Sequence, residues 1–147
     1  MTIGSAAFDD LLKAQPVLEE KCRILQENLS PHARIGVAFS GGVDSSFIAW
    51  FCSAKLLKHV ELFFAASDFI AARERESAFV IGAWLGLKIH ILEPDPLGFA
   101  AIRNNPVDRC YFCKKEVFSL IFSSARELGF QIVVDGSHAG DHGYRPG

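Results

Sequence analysis

The sequence predicts an α/β fold in three layers, with a parallel sheet of about five strands and helices on both faces. The main observation is that short apolar runs, which have the length and composition of buried strands, alternate with segments of helical spacing. The apolar runs lie at residues 34–39, 60–66, 87–92 and 131–135. The helical segments lie at residues 16–29, 43–57, 73–85 and 113–128. Strands that alternate with helices pair in parallel, because each helix carries the chain back along the sheet.

The composition fits one globular domain. The chain has 147 residues, of which 50% are hydrophobic and 22% charged, and we expect residues 1–147 to form a single domain. The net charge of −2 gives no indication of a nucleic-acid partner. No apolar run approaches the roughly 20 residues of a membrane span, and the first residues lack the pattern of a signal peptide. The sequence therefore predicts a cytoplasmic protein with neither a membrane nor a nucleic-acid partner.

The most informative segment is the hexapeptide Ser-Gly-Gly-Val-Asp-Ser at residues 40–45, between a predicted strand and a predicted helix. The adjacent Gly41 and Gly42 let the backbone approach an anion closely and expose successive N–H groups. The next helix directs its first N–H groups and the positive end of its dipole to the same place. The hydroxyl groups of Ser40 and Ser45 add donors. The segment predicts a pyrophosphate-binding loop without a lysine, and the alternative is an ordinary strand-to-helix turn.

Together with its flanking residues, Val-Ala-Phe-Ser-Gly-Gly-Val-Asp-Ser-Ser at residues 37–46 resembles the signature of the PP-loop ATP pyrophosphatases. The resemblance implies a Rossmann-like fold of the adenine nucleotide α-hydrolase type, and cleavage of ATP between its α- and β-phosphates. It also implies Mg²⁺, with Asp44 as the candidate ligand, and Asp44 and Ser45 as candidate catalytic residues. The residues that we expect at the nucleotide are Ser40, Gly41, Gly42, Val43, Asp44, Ser45, Ala65, Ala66, Ser67, Gly136 and Asp141.

A second motif is the Cys-x-x-Cys pair formed by Cys110 and Cys113. In a cytoplasmic chain such a pair indicates zinc, an iron–sulfur cluster or a redox role more than a structural disulfide. Arg109 and the two lysines after the pair predict lowered thiol pKa values, although these cations could equally hold a phosphate or a carboxylate. Cys22 and Cys52 lie in helical segments and are expected to be ordinary buried thiols.

Two segments resemble a narrower family. Asn-Pro-Val-Asp-Arg-Cys-Tyr-Phe-Cys-Lys-Lys at residues 105–115 is similar to the Asn-Pro-x-x-Arg-Cys-x-x-Cys-Lys motif of the LarE family. Members of that family are ATP-dependent sacrificial sulfur transferases that help to build the nickel-pincer cofactor. Residues 135–147, which begin with Asp-Gly and end with Tyr-Arg-Pro-Gly, are similar to the family's next motif. The resemblance covers about residues 16–147.

The resemblance to this family implies that the protein adenylylates a carboxylate or carbonyl group of a small substrate, a carboxylated mononucleotide, for sulfur transfer. It makes Arg103, Arg109 and Arg145 candidate contacts of the substrate's anionic groups. Because the family's C-terminal region is absent from this sequence, we expect an incomplete sulfur-transfer reaction and do not assign Cys110 or Cys113 as the sulfur donor. An apolar surface left uncovered would favour homo-oligomers.

The sequence departs from the family's third motif at two positions. It has His138 and Gly140 where the family has an asparagine and an aspartate. With His142, the departure places two histidines downstream of Cys110 and Cys113. A Cys₂His₂ zinc site is therefore open as an alternative, against the simpler interpretation that both histidines are solvated loop residues.

Other functions also fit the sequence. They are another PP-loop activity, such as tRNA thiolation or amide synthesis, a nucleotide-binding module without catalysis of its own, and a zinc-stabilised protein. The mixed-charge residues 73–76 are expected to form a solvated helix face, although Arg73 is near enough in sequence to reach a phosphate.

Overall fold

The computed structural model describes residues 5–67, 70–95, 98 and 107–137. The helices in these ranges are α1 (Ser5–Ala14), α2 (Pro16–Leu29), α3 (Val43–Trp50), α4 (Ala72–Leu85) and α5 (Arg109–Glu127). The strands are β1 (Arg34–Ala38), β2 (His59–Ala65), β3 (Lys88–Leu92) and β4 (Ile132–Val134). None of the helices within the described ranges is long and apolar enough to cross a membrane.

The four strands form one parallel sheet in the order β3-β2-β1-β4. Val37 of β1 lies between Leu62 of β2 and Val134 of β4, so β1 is an inner strand. The chain runs outward from β1 through β2 to β3 and then crosses to β4 on the far side of β1. This reversal makes a topological switch point beside β1, where ligands of open α/β sheets bind. The predicted parallel α/β fold is confirmed, with four strands in the described part in place of about five.

Helices cover both faces of the sheet, and β2 shows how. Its residues alternate between the faces, as the two-residue period of a strand requires. Leu62 and Phe64 are buried in the core on the face of α2, α3 and α4, whereas Phe63 is buried on the face of α5 against Ile121 and Phe130. The strand is buried on both sides, which explains its continuous apolar run.

The N-terminal helix α1 was not expected, because the sequence predicts no helix before residue 16. Its Phe8 ring packs edge-on against Trp50, with ring centroids 4.9 Å apart, and its Leu12 is buried in the same cluster. Three apolar residues at positions 8, 11 and 12 form too short a pattern to recognise alone. Tertiary packing against α2 and α3 therefore stabilises this helix.

The helix predicted at residues 43–57 ends differently from expectation. It is α-helical only to Trp50 and continues as a π-helical turn at Phe51–Lys55, where the Leu56 N–H donates to the Phe51 carbonyl at 2.9 Å. Several apolar residues at the predicted helical spacing are exposed in the structure. Val43 is 85% exposed and Trp84 of α4 is 53% exposed, and Leu57 and Val80 are exposed as well.

Candidate functional site

An open cleft of about 730 Å³ lies over the carboxyl ends of β1 and β2. The loop after β1 and the start of α4 form one side, and the middle of α5 forms the other. The lining residues are Ala38, Phe39, Ser40, Gly41, Gly42, Phe64, Ala65, Ser67, Ile70, Arg73, Glu74, Ser77, Val117, Phe118 and Ile121. The side formed by α5 is apolar, whereas the opposite side carries hydroxyl groups, backbone amides and two charged side chains.

Gly41 holds the loop after β1 against α4. Its φ angle is +77°, a left-handed conformation that side chains disfavour. A Cβ atom placed on Gly41 would also lie 2.7 Å from the Cα atom of Ala78, which is fully buried on α4. Both the backbone conformation and the close approach therefore require glycine here. The loop backbone can follow the wall of the cleft only because this side chain is missing.

Ser45 braces the same loop from inside. Its side chain is buried, and its Oγ atom lies 3.3 Å from the Ser40 backbone nitrogen, 3.1 Å from the Ser40 Oγ atom and 3.2 Å from the Gly42 carbonyl oxygen. The Ser46 hydroxyl also donates to the Gly42 carbonyl, at 2.7 Å. These contacts join the loop to the first turn of α3. The Ser45 hydroxyl therefore fixes the shape of the loop and does not line the cleft.

The segment after β4 touches the beginning of α3. A Cβ atom on Gly136 would lie 2.7 Å from the Ser45 backbone nitrogen and 3.0 Å from the Asp44 Cβ atom. The neighbouring Asp135 accepts a hydrogen bond at 2.9 Å from the Ser137 backbone N–H, which turns the chain at this point. Asp44 is exposed in the first turn of α3. A hard divalent cation prefers carboxylate oxygen ligands, and Asp44 as a ligand of Mg²⁺ stays a prediction.

The structure brings together some of the expected nucleotide residues and leaves others outside the cleft. The residues that line it are Ser40, Gly41, Gly42, Ala65 and Ser67. Those that lie beside it without lining it are Val43, Asp44, Ser45, Ala66 and Gly136. Arg103, Asp141 and Arg145 lie outside the described residues. The positions therefore support a nucleotide site at the β1 and β2 ends, and the individual roles stay predictions.

Arg73 and Glu74 are exposed, as expected for a solvated helix face, and they also lie at the cleft. They occupy the first turn of α4. Of the two, only Arg73 was singled out in the sequence, as near enough to the loop to reach a phosphate, and nothing in the sequence distinguished Glu74 from its solvated neighbours. The contact of Ala78, one turn farther along α4, with Gly41 places this helix beside the loop.

The two thiols Cys110 and Cys113 lie in the first turns of α5, and no disulfide joins them. Burial and the neighbouring Cys110 raise the pKa of Cys113, and the charge of Arg109 lowers it by less. The expected lowering of the thiol pKa is therefore wrong for Cys113. Among the residues that the structure describes, no group of three or more His, Cys, Asp and Glu side chains could hold a metal. His138 and His142 lie outside those residues, and the described thiols alone do not fit a zinc or iron–sulfur site.

A second pocket of about 480 Å³ lies behind the loop, between α1, α3 and α4. Its walls are almost entirely apolar and include Phe8, Phe47, Trp50 and Trp84. Gly41 lines both this pocket and the cleft, so the loop separates the two. The described lining residues include no cationic side chain and only a few polar groups, among them the Ser46 hydroxyl, so they offer an anion little stabilisation.

Comparison with known proteins gives relatives but no matching family model. The chain is 32% identical over 116 residues to the pyridinium-3,5-bisthiocarboxylic acid mononucleotide synthase of Lactiplantibacillus plantarum, which covers 78% of this chain and 42% of that protein. It is 31% identical over 132 residues to an uncharacterized protein of Synechocystis sp., and this match covers 89% of this chain and 49% of that protein. The chain thus spans about half the length of the curated relatives it matches.

Among solved structures, the chain is similar to the NH₃-dependent NAD synthetase of Campylobacter jejuni, with a TM-score of 0.64. The match covers 84% of this chain and 56% of the synthetase, at 22% sequence identity. At that identity the similarity establishes a shared fold, which is the Rossmann-like α/β arrangement expected from the sequence.

Proposed function

We propose that this chain, a LarE-like member of the PP-loop superfamily, binds Mg-ATP in the cleft over β1 and β2 and cleaves it between the α- and β-phosphates. The superfamily uses ATP, and the chain's relatives include a mononucleotide synthase. The finer assignment to one reaction is our proposal.

The observation that carries the proposal is the construction of the loop at residues 40–45. It forms a wall of the cleft through Ser40, Gly41 and Gly42, and it leads directly into α3. Backbone amides at a helix N-terminus attract a phosphate through their N–H groups and the helix dipole. Within the loop, the Ser40 and Gly42 N–H groups already donate to the Ser45 and Ser40 hydroxyl oxygens. The donors left for a phosphate are therefore the N–H groups of Gly41 and of the first turn of α3. The close contacts of Gly41 and the bracing by Ser45 hold the loop in place before a ligand arrives. Such preorganisation reduces the entropy lost on binding.

The remaining parts of the cleft fit the rest of the nucleotide. Val117, Phe118 and Ile121 of α5 provide an apolar surface for a base. Ser67, which follows β2, lines the same cleft, and its carbonyl oxygen, which accepts the Ile70 N–H, keeps a second lone pair for the polar edge of the base. Asp44 would hold Mg²⁺, which neutralises the charge of the leaving pyrophosphate when it is bound. The protein's own residues would hold the triphosphate so that its α-phosphorus faces the open side of the cleft. A substrate oxygen can then attack in line with the departing pyrophosphate.

We further propose that the acceptor is a carboxylated pyridinium mononucleotide and that its adenylylation prepares it for sulfur transfer. The similarity to the Lactiplantibacillus plantarum synthase supports this choice of acceptor. A carboxylate oxygen would form the bond to the α-phosphorus while the bond from that phosphorus to the bridging oxygen breaks. Arg109, at the start of α5, is the described candidate for the acceptor's phosphate. α5 joins β3 to β4 antiparallel to the strands, so its first turn lies at the same edge of the sheet as the loop.

Calorimetric titration with Mg²⁺ and α,β-methylene-ATP tests the proposed binding without turnover. We expect one site per chain, competition by ATP, and loss of binding in Gly41→Ala. Failure of the folded protein to bind either nucleotide would exclude the proposal. A second function, nucleotide binding without catalysis, would be indicated if ATP bound and no pyrophosphate appeared in the presence of the acceptor.

A further inference from the structure

The first turn of α4 carries an acidic side chain into a cleft proposed to bind a triphosphate. Glu74 lines the cleft, and no hydrogen bond or ion pair joins its side chain to another of the residues that the structure describes. Its backbone N–H donates to the Ala71 carbonyl at 2.9 Å, so the residue is fixed in the helical turn. A carboxylate in contact with phosphates would repel them. A carboxylate could meet the phosphates only through a cation, and Asp44 is already the proposed holder of Mg²⁺, so the exposed side chain of Glu74 is available for another part of the ligand.

The order of residues along the side of the cleft that α4 forms indicates which part of the nucleotide lies at Glu74. At one end, Ser67 and Ile70 follow β2 and lie where the base is proposed to sit. At the other end, Ala78 touches Gly41 of the phosphate-binding loop. Glu74 precedes Ala78 by four residues, which places it on the same helix face about 6 Å farther from the loop. It thus lies between the base end and the phosphate end of the cleft.

In a nucleotide, the group between the base and the phosphates is the ribose. Its hydroxyl groups are hydrogen-bond donors, and an ionised carboxylate accepts two such bonds with its two oxygen atoms. Dinucleotide-binding folds use an acidic residue in this way to hold ribose hydroxyls, which shows that the chemistry is sufficient. The neighbouring Arg73 also lines the cleft.

We propose that Glu74 is a specificity-determining residue that accepts hydrogen bonds from the ribose hydroxyls of the bound nucleotide and selects ribonucleotides over deoxyribonucleotides. This inference rests on the proposed function, because it assumes that ATP occupies the cleft. It does not depend on the identity of the acceptor or on cleavage of ATP.

Calorimetric titration of the full chain with ATP, 2′-deoxy-ATP and 3′-deoxy-ATP, with Mg²⁺ and again with EDTA, tests this role. We expect the wild type to bind at least one deoxy nucleotide about tenfold or more weakly than ATP, as loss of a hydrogen bond to a charged group predicts. In Glu74→Ala the affinities for the three nucleotides should become nearly equal, and Glu74→Gln should restore part of the discrimination. Glu76→Ala, which changes an exposed glutamate of the same helix outside the cleft, should retain the wild-type pattern.

The outcomes separate the two proposals. If the wild type binds ATP and both deoxy nucleotides equally, the role of Glu74 is wrong while the proposed function stands. The role is also wrong if Glu74→Ala alters only the dependence on Mg²⁺ and retains the discrimination, because Glu74 would then act on a cation. If the folded wild type binds none of the three nucleotides, both proposals fail. Thermal melting of each variant shows that the compared proteins are folded.

Discussion

A Cβ atom on Gly41 would lie 2.7 Å from the Cα atom of Ala78, so the loop after β1 and helix α4 are in direct backbone contact. Since Ala78 is fully buried, the loop and α4 cannot move apart without disturbing the core. This contact joins the proposed phosphate site to the wall that carries Arg73 and Glu74.

Gly41→Ala should therefore impair both folding and binding. The new methyl group meets backbone atoms of α4, and the φ angle of +77° strains any side chain. We expect a loss of about 1–3 kcal/mol in the free energy of unfolding and no measurable binding of ATP. The measurements are urea denaturation and calorimetry.

Gly86→Ala is the matched control for this substitution. Gly86 has a similar φ angle of +68°, but a Cβ atom there would meet nothing within 4 Å. It should lose about 1 kcal/mol from backbone strain and bind ATP normally. Equal effects of the two substitutions on binding would contradict the importance of the contact with Ala78.

Ser45→Ala should weaken ATP binding by disordering the loop. The substitution removes the contacts of the buried hydroxyl with Ser40 and Gly42. We expect a loss of about 1–2 kcal/mol in the free energy of unfolding and reduced affinity for ATP. Ser53→Ala provides the comparison, because that hydroxyl bonds only to carbonyl groups within its own helix. The bracing role is wrong if Ser45→Ala binds ATP with unchanged affinity.

Arg73→Ala should lower affinity for ATP more than affinity for AMP. A cation in the cleft wall gains more from a triphosphate than from a monophosphate, and it supplements a loop that contains no lysine. We expect about a tenfold loss for ATP and a smaller loss for AMP, with both effects weakened by salt. Titrations of both nucleotides at two salt concentrations provide the measurement, with Lys21→Ala, an exposed cation on α2, as the control. An equal loss for both nucleotides would exclude a contact with the outer phosphates.

The hydrogen bonds and ion pairs of Glu61, which does not line the cleft, should make the free energy of unfolding depend on pH. Burial alone would raise the pKa of Glu61, but hydrogen bonds with His90 and His59 and the charge of Lys88, whose Nζ atom lies 3.7 Å away, lower it below 4.5. Because the folded-state pKa is below the unfolded value, this stabilisation is present above pH 4.5 and is lost as pH falls through the folded-state pKa.

Glu61→Gln should therefore destabilise the protein at pH 7 by about 1–3 kcal/mol. The difference from the wild type should shrink as the pH falls below 4.5. Urea denaturation across this range measures it, and Glu19→Gln, which changes an exposed residue of α2, should show no such dependence. A difference that is constant with pH would show that the pairing with histidine does not stabilise the fold.

Much of the fold could be predicted from sequence because buried parallel strands are continuous apolar runs. The apolar run at residues 60–66 predicted a buried strand of the parallel sheet. The loop at residues 40–45 predicted where the candidate site lies. The position of Glu74 at the cleft could not be predicted, since it depends on how α4 packs against Gly41. Likewise, the exposure of Val43 and Trp84 depends on the spacing of α1, α3 and α4, which the periodicity of a single helix does not contain.

The most direct test of the account is a single-turnover reaction of the protein with Mg²⁺ and ATP labelled on its γ-phosphate, with a carboxylated pyridinium mononucleotide as acceptor. Cleavage between the α- and β-phosphates predicts that the label appears in pyrophosphate, with one AMP unit formed for each, either free or bound to the acceptor. Label in inorganic phosphate with formation of ADP, or no release of label from ATP that is bound, would contradict the proposed reaction.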